Sequence, residues 1–518
     1  MADIKSAQQV LKDVPRNDAL KALQEITEWV ESVRDNADFQ LDQRFDVLSL
    51  LDESARTYMR KLVREYFSAP AQSQFQENRT WMVLNEFFTQ IEQAYFKVLT
   101  GYHNGEKGSS AIKSAMPLVT ARGIYAVMGR LKYASARYLQ VDETIWKHLA
   151  EYYSHAEAHQ FLNEPVTLYA GLTPATTVKY KFASLVMWYA PGSGSLSPLH
   201  MHLAERLANH FGSHFTVDTQ LASGSQYSFD LAHPAQLGRV TADTTPLSSM
   251  RFLGAGDIGL QIDALVKMLE KNIVPEEISL GGVYPAAIVC DVVRHLAIFW
   301  TSPPPMRRNT RRQINVNMNV VHGFSSVVKR GETVKHGDLQ HDETGSATDR
   351  QPSIPRDAAV GTNWEVEDIS IGGFRGVLPG KSAGGVKIGS LVGIKPENVE
   401  FLGVGIVRRM TRDGQNNLHA GVEILSKQVE NVVLHMHGDS RADGEQTALW
   451  LRGPGDDTGE VWLLMNPDAF SMNLSLNTLF EGKSYLLIPL ALLERGGDYD
   501  LARYRKVEEE PDSASDAY

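Results

Sequence analysis

Four arginines stand within the hexapeptide Arg307-Arg308-Asn309-Thr310-Arg311-Arg312, and downstream lies Asp368-Ile369-Ser370-Ile371-Gly372-Gly373. The first segment contains R-x-x-x-R twice, as Arg307 with Arg311 and as Arg308 with Arg312. The second is D-x-S-x-x-G, with Asp368, Ser370 and Gly373 at the defined positions. A guanidinium is a rigid planar fork that can bond guanine O6 and N7 bidentately, stack on a purine face or pair with phosphate, and a lysine ammonium reproduces none of these geometries. The R-x-x-x-R spacing lets two forks grip one ligand from a single short segment. An ionised Asp368 only accepts hydrogen bonds, which complements the N–H donors of a base edge, and Ser370 adds a small donor and acceptor. Gly372 and Gly373 permit positive φ and close backbone approach to a ligand. Taken separately, an Arg-rich hexapeptide reads as a solvated patch and D-x-S-x-x-G as a turn. Their order and setting give them meaning.

The setting is β-rich. After the arginines, Ile314, Val316, Met318 and Val320 alternate with Gln313, Asn315, Asn317 and Asn319, the period-2 pattern of a half-buried strand. Trp364 and Val366 lead a second strand into the Ser-Ile-Gly-Gly turn, and residues 389–394, 401–410 and 419–424 read as further strands. Several short strands separated by glycine turns predict a small antiparallel barrel. Just ahead of the arginines, Pro303-Pro304-Pro305 forbids helix and marks a stiff linker.

In this order and context the two segments resemble the ligand signature of PilZ domains, the bacterial receptors for cyclic di-GMP. The resemblance covers roughly residues 305–428, about a quarter of the chain. It implies that Arg307 and Arg311, with Arg308 and Arg312 as alternates, clamp guanine faces and phosphates. Asp368 and Ser370 would read a guanine edge, and Gly373 would allow the approach. The Arg307/Arg311 register is preferred because Arg311 stands three residues before Ile314, as PilZ sequences usually have it. One departure is the long connection between arginines and Asp368. Its excess, 329–361, is polar and reads as a flexible loop inserted between two strands. The family further implies cyclic di-GMP as the ligand, a protein partner for output, and a role in motility, exopolysaccharide or biofilm behaviour.

Composition sets the outer limits. The chain has 518 residues, 43% hydrophobic and 22% charged, which suits a globular protein of two to four domains. A net charge of −11 argues against a general nucleic-acid binder and makes the arginine cluster a local anion site. The single cysteine, Cys290, excludes an intramolecular disulfide and fits a reducing cytosol. No secretory signal is visible, and the apolar segment Val283–Trp300 carries Asp291, Arg294 and His295, so it reads as a buried helix rather than a membrane span. Cytoplasmic is the expected location.

From Asn17 to about Trp300 the pattern is helical, with Asn17 or Asp18 capping a helix that carries Leu20, Leu23, Ile26, Val30 and Val33. Further helices are expected over roughly 79–103, 112–138, 143–171, 200–216, 257–272 and 284–300, with possible short strands in 222–257. No family is recognised for this half. His155 with His159, and His210 with His214, have the i, i+4 spacing that can hold a divalent metal, but neither forms H-E-x-x-H, and surface or packed histidines are the expectation. No metal is expected, no triad or paired metal carboxylates are seen, and no catalysis is called for. The expected fold class is multidomain α+β: an all-α region (1–300), a Pro/Arg-rich linker (301–312), a PilZ-like barrel (313–428) with its inserted loop, a β-rich extension (429–507) and a disordered acidic tail (508–518). Ligand capture beside the linker would alter the domain arrangement. The rivals are a PilZ-like adaptor that binds protein partners without nucleotide, a metal-dependent activity in the helical half, and nucleic-acid binding through the arginines.

Overall fold

A computed structural model describes residues 3–68, 73–171, 173–235, 237–300, 310–338, 361–381, 383–396, 401–437, 445–453 and 458–509. The chain divides into two compact units, Met1–Met306 and Arg307–Tyr518. The proline triplet, Arg307 and Arg308 lie outside the described residues, as do 339–360, most of the expected insertion.

The first unit contains α1 (Ile4–Val10), α2 (Ala19–Asp35), α3 (Leu41–Ser68), α4 (Gln74–His103), α5 (Met116–Ala136), α6 (Glu143–Ala158), α7 (Val178–Tyr189), α8 (Pro198–His210), α9 (Gly259–Glu270) and α10 (Ala286–Trp300). Asp18 caps α2 by accepting from the Lys21 N–H at 3.0 Å, and Ala22, Leu23, Ile26, Val30 and Val33 form the buried stripe behind it. The centre is α5, where Ile124, Val127 and Leu131 are fully buried. On α5, Gly129 has no room for a side chain, since a Cβ would stand closer than 3.0 Å to the Phe88 ring.

Three expectations for this half need correction. The helix expected over 143–171 ends at Ala158, with Gln160 in the left-handed region at φ 61°. Pro165 lies just beyond and cannot extend a helix, and β1 (Val166–Thr167) pairs instead with β2 (Ala175–Thr176). The half is also not all-α. Strands β3 (Thr216–Asp218), β4 (Tyr227–Asp230), β5 (Gly238–Arg239) and β6 (Met250–Gly254) form an antiparallel sheet in the order β3-β6-β4-β5. Helix α7 was not anticipated. It is buried nearly all round, from Phe182 through Trp188, so it carries no amphipathic stripe to betray it.

The second unit begins with β7 (Arg312–His322), α11 (Phe324–Asp338), β8 (Thr362–Ser370), β9 (Gly373–Leu378), β10 (Leu391–Pro396), β11 (Gly403–Arg412) and β12 (Leu418–Ser426). Its strands close into a six-stranded barrel in the order β10-β11-β12-β9-β8-β7. Then β13 (Val429–Met436), β14 (Gln446–Leu451), β15 (Glu460–Met465), β16 (Leu476–Phe480), β17 (Lys483–Arg495) and β18 (Asp500–Glu509) close a second barrel, β13-β14-β15-β18-β17-β16. Closure leaves neither sheet with an edge open to further pairing. The expected β-rich extension is thus a complete barrel, and Glu508 and Glu509, expected in the tail, belong to its last strand.

The two barrels share a core in which Val321, Leu391, Val404 and Ile406 of the first meet Val429, Leu449, Leu464 and Leu501 of the second. Helix α11 joins it through Phe324 and Val327, both buried. Its first turn is held by the Phe324 N–H donating to Asp498 Oδ2 at 2.8 Å and by Asn431 Nδ2 donating to the Val328 carbonyl at 2.8 Å. Residues 329–338 therefore continue a helix rather than a flexible loop, because Phe324, Val327 and Val328 supply the i, i+3, i+4 stripe that anchors it.

Candidate functional site

The end of the arginine segment, Arg311 and Arg312, meets the D-x-S-x-x-G segment on the first barrel. Arg312 opens β7 opposite Ile369 of β8, and Gln313 stands opposite Asp368. That register carries the Arg311 guanidinium to the Asp368 carboxylate, with Nη1 donating to Oδ1 at 2.5 Å. Asp368 is buried, and the Arg311 side chain keeps 29% of its exposure. Ser370 closes the turn into β9 by donating its hydroxyl to the Gly373 carbonyl at 3.1 Å, leaving Ile371 exposed at the tip. Arg312 is exposed.

Neither Gly372 nor Gly373 has positive φ. Gly373 sits opposite Glu423 in the β9–β12 ladder, and a Cβ there would stand closer than 3.0 Å to the Val422 carbonyl oxygen. Its small size is needed where barrel strands approach each other.

Two bulges shape this region. Between Gln313 and Val316, β7 carries two residues where β8 carries Glu367 alone, and β8 slips by one against β9 between Val366 and Asp368. Bulges break the ladder and re-aim side chains, and here they turn Asp368 to stand opposite Arg375. They also interrupt the alternation expected along β7: Met318 and Val320 are buried, whereas Val316 is exposed. Beside the bulges lies an open cavity of about 280 Å³, lined by Gln313 and Asn315 of β7, Glu365, Glu367 and Asp368 of β8, and Arg375 of β9.

The cavity wall is tied together by charge. Arg375 Nε lies 3.0 Å from Glu367 Oε2, and its Nη2 lies 2.9 Å from His419 Nδ1. His419 Nε2 stands 3.2 Å from Asp413 Oδ2. Hydrogen bonds from the Asn417 side chain and backbone, His419 and the Gln415 N–H hold Asp413 down to about 2. Sequence reasoning missed Glu365, Glu367, Arg375 and His419. The signal was their position on strands flanking the motif, but period-2 counting puts Glu367 and Asp368 on opposite faces, and only a bulge brings both to one cavity.

The two histidine pairs sit in different surroundings. His155 is buried with Nδ1 2.8 Å from His103 Nε2, and His159 Nδ1 lies 2.9 Å from the His155 carbonyl. His214 Nδ1 lies 3.8 Å from Asp257. Burial lowers the pKa of His210. Among the described residues no group of three or more His, Cys, Asp or Glu side chains is placed to hold a metal. Among them, too, no helix is long and apolar enough to cross a membrane.

Comparison with known proteins adds a finding for the half that carried no recognised family. Residues 5–222 match the family described as the N-terminal domain of the cyclic-di-GMP receptor FimW. The match lies in the helical unit and leaves the barrels outside it. No curated protein matches the chain.

Proposed function

We propose that this chain is a cyclic di-GMP receptor whose first barrel is of PilZ type and carries the ligand site. Two independent lines support the reading. The helical unit is similar to the N-terminal domain of a cyclic di-GMP receptor, and the barrel bears the arginine and D-x-S-x-x-G segments. The observation that carries it is the Arg311–Asp368 ion pair, which joins the two segments across neighbouring strands.

In this reading Arg311, with Arg307, Arg308 and Arg312, engages phosphates and purine faces, while Asp368 and Ser370 meet a base edge. Arg307 is the first residue of the second unit, so capture of a ligand by residues 307–312 acts where the chain passes from one unit to the next. Binding there biases the arrangement of the two units by the ligand's differential affinity for each arrangement, and the helical unit offers the output surface. The role is binding rather than catalysis, in the cytosol, on motility, exopolysaccharide or biofilm systems.

The test is calorimetric titration with cyclic di-GMP, using GMP and GTP as controls. Saturable binding at micromolar or tighter affinity is expected for the wild type with the cyclic ligand, and none with GMP or GTP. Arg311→Ala removes a charge-assisted contact and should weaken binding by about 1.5–3 kcal/mol, roughly 10- to 150-fold. Absence of heat, together with absence of competition in an orthogonal assay, refutes the receptor reading.

A further inference from the structure

The cavity beside the two bulges contains more acid than a phosphate-binding surface should. Glu365, Glu367 and Asp368 all line it, with Arg375 as the cation on its wall. A phosphodiester placed there would face like charge at close range. A neutral base edge would not. Arg311 and Arg312 lie at the start of β7, with Arg311 paired to Asp368, so one small region offers two cations and an acceptor-rich hollow side by side.

We propose that this cavity receives one base of the cyclic dinucleotide by its Watson–Crick edge, and that Glu367 is the residue that selects guanine. The proposal rests on the receptor reading above. Guanine presents two adjacent donors, N1–H and N2–H, beside the O6 acceptor. Glu367 and Arg375 present the complement: a carboxylate that only accepts and a guanidinium that only donates, 3.0 Å apart. Glu367 occupies the bulge of β8, where its backbone is displaced from the regular ladder, and the two residues opposite it, Ile314 and Asn315, widen the space. Adenine would turn its N1 lone pair towards the carboxylate, placing acceptor against acceptor. Discrimination therefore comes from an unmatched polar contact, the kind that separates ligands most strongly. Hypoxanthine keeps N1–H and O6 but lacks the N2 amine, so it removes one carboxylate bond and nothing else.

Cyclic di-GMP, cyclic di-IMP and cyclic di-AMP are titrated into the full-length wild type and into Glu367→Gln, with a melting curve for each protein. In the wild type, cyclic di-IMP should bind about 10- to 100-fold more weakly than cyclic di-GMP, and cyclic di-AMP more weakly still. In Glu367→Gln, which is isosteric but uncharged, the ratio of cyclic di-GMP to cyclic di-IMP should shrink to within about threefold. The wild-type ligand series needs no variant, so it decides even if Glu367→Gln melts early. Equal wild-type affinity for cyclic di-GMP and cyclic di-IMP overturns the inference. An undiminished ratio in Glu367→Gln overturns it too, because Asp368 would then read the amine unaided. Either result leaves the receptor reading standing, whereas a wild type that binds none of the three sinks both.

Discussion

Gly373→Ala separates two roles for the glycine that ends D-x-S-x-x-G. If that glycine lets a ligand approach the backbone, alanine should abolish binding and leave the fold intact. The geometry gives a different account. A Cβ at position 373 would stand closer than 3.0 Å to the carbonyl oxygen of Val422, which belongs to the neighbouring strand β12 and cannot swing aside as a side chain could. Restoring ordinary contact near 3.5 Å requires the new Cβ and that oxygen to move apart by about 1.3 Å in the wall of a closed barrel. Overpacking of well-packed sites costs typically 1–3 kcal/mol, and a rigid backbone neighbour puts this case at the upper end, about 3 kcal/mol. For a unit of this size each kcal/mol lowers the melting temperature by about 2–4 °C, so the barrel transition should fall by roughly 6–12 °C. Scanning calorimetry resolves that transition if the two units melt separately, and near-ultraviolet dichroism follows the buried Trp364 and Trp450 if they do not. A melting temperature within about 2 °C of wild type refutes the closure argument and returns the glycine to the ligand.

Two further perturbations test other parts of the structure. Phe324→Ala removes the buried anchor of α11, so it should cost about 3–5 kcal/mol and lower the melting temperature of the second unit by about 6–20 °C; a neutral result would mean that this segment is a loose surface loop after all. His155 should make the helical unit sensitive to mild acid. Burial, with smaller contributions from His159 and His103, pushes its pKa down from 6.5 to about 4. The folded state then resists a proton that the unfolded chain accepts, so stability present above pH 6.5 is lost as the pH falls towards 4. Melting curves of His155→Phe across that window should show a shallower pH slope than wild type, and an equal slope would assign the sensitivity elsewhere.

The parts of this fold that could be read from sequence are those where one side-chain period runs undisturbed. The α2 stripe and its Asp18 cap are local facts, and so is the alternation at Met318 and Val320. Helix α7 failed that test because burial on all sides erases the stripe. The 143–171 segment failed because a left-handed residue at Gln160 and the nearby Pro165 ended a helix whose apolar residues continued past it. The second barrel was legible as strands but not as a barrel, since closure depends on which strands pair, as when β13 finds both β14 and β16. The candidate site divides the same way. Spacing singles out Arg311, Asp368 and Ser370 as candidates, whereas the placement of Glu367 and Arg375 at the same cavity depends on bulges that counting cannot see.

The Arg311–Asp368 pair also bears on how a receptor of this kind would spend its binding energy. A carboxylate as buried as Asp368 is costly to keep ionised without a partner, and Arg311 supplies one in the free protein. In the proposed complex, with a phosphate on Arg311 and a base edge on Asp368, each group would exchange one charge-assisted hydrogen bond for another. The exchange offsets part of each new contact, so the contribution of Arg311 stays within about 1.5–3 kcal/mol, that of one charge-assisted hydrogen bond. The two residues penalise a wrong ligand heavily, because a ligand that takes the arginine without serving the carboxylate leaves a buried charge unpaired, at a cost of about 3–5 kcal/mol when burial is complete and less here, where Arg311 stays partly exposed. Further affinity comes from groups that gain a partner only on binding. On this reading the pair contributes selectivity as well as strength, and the remaining arginines add further strength.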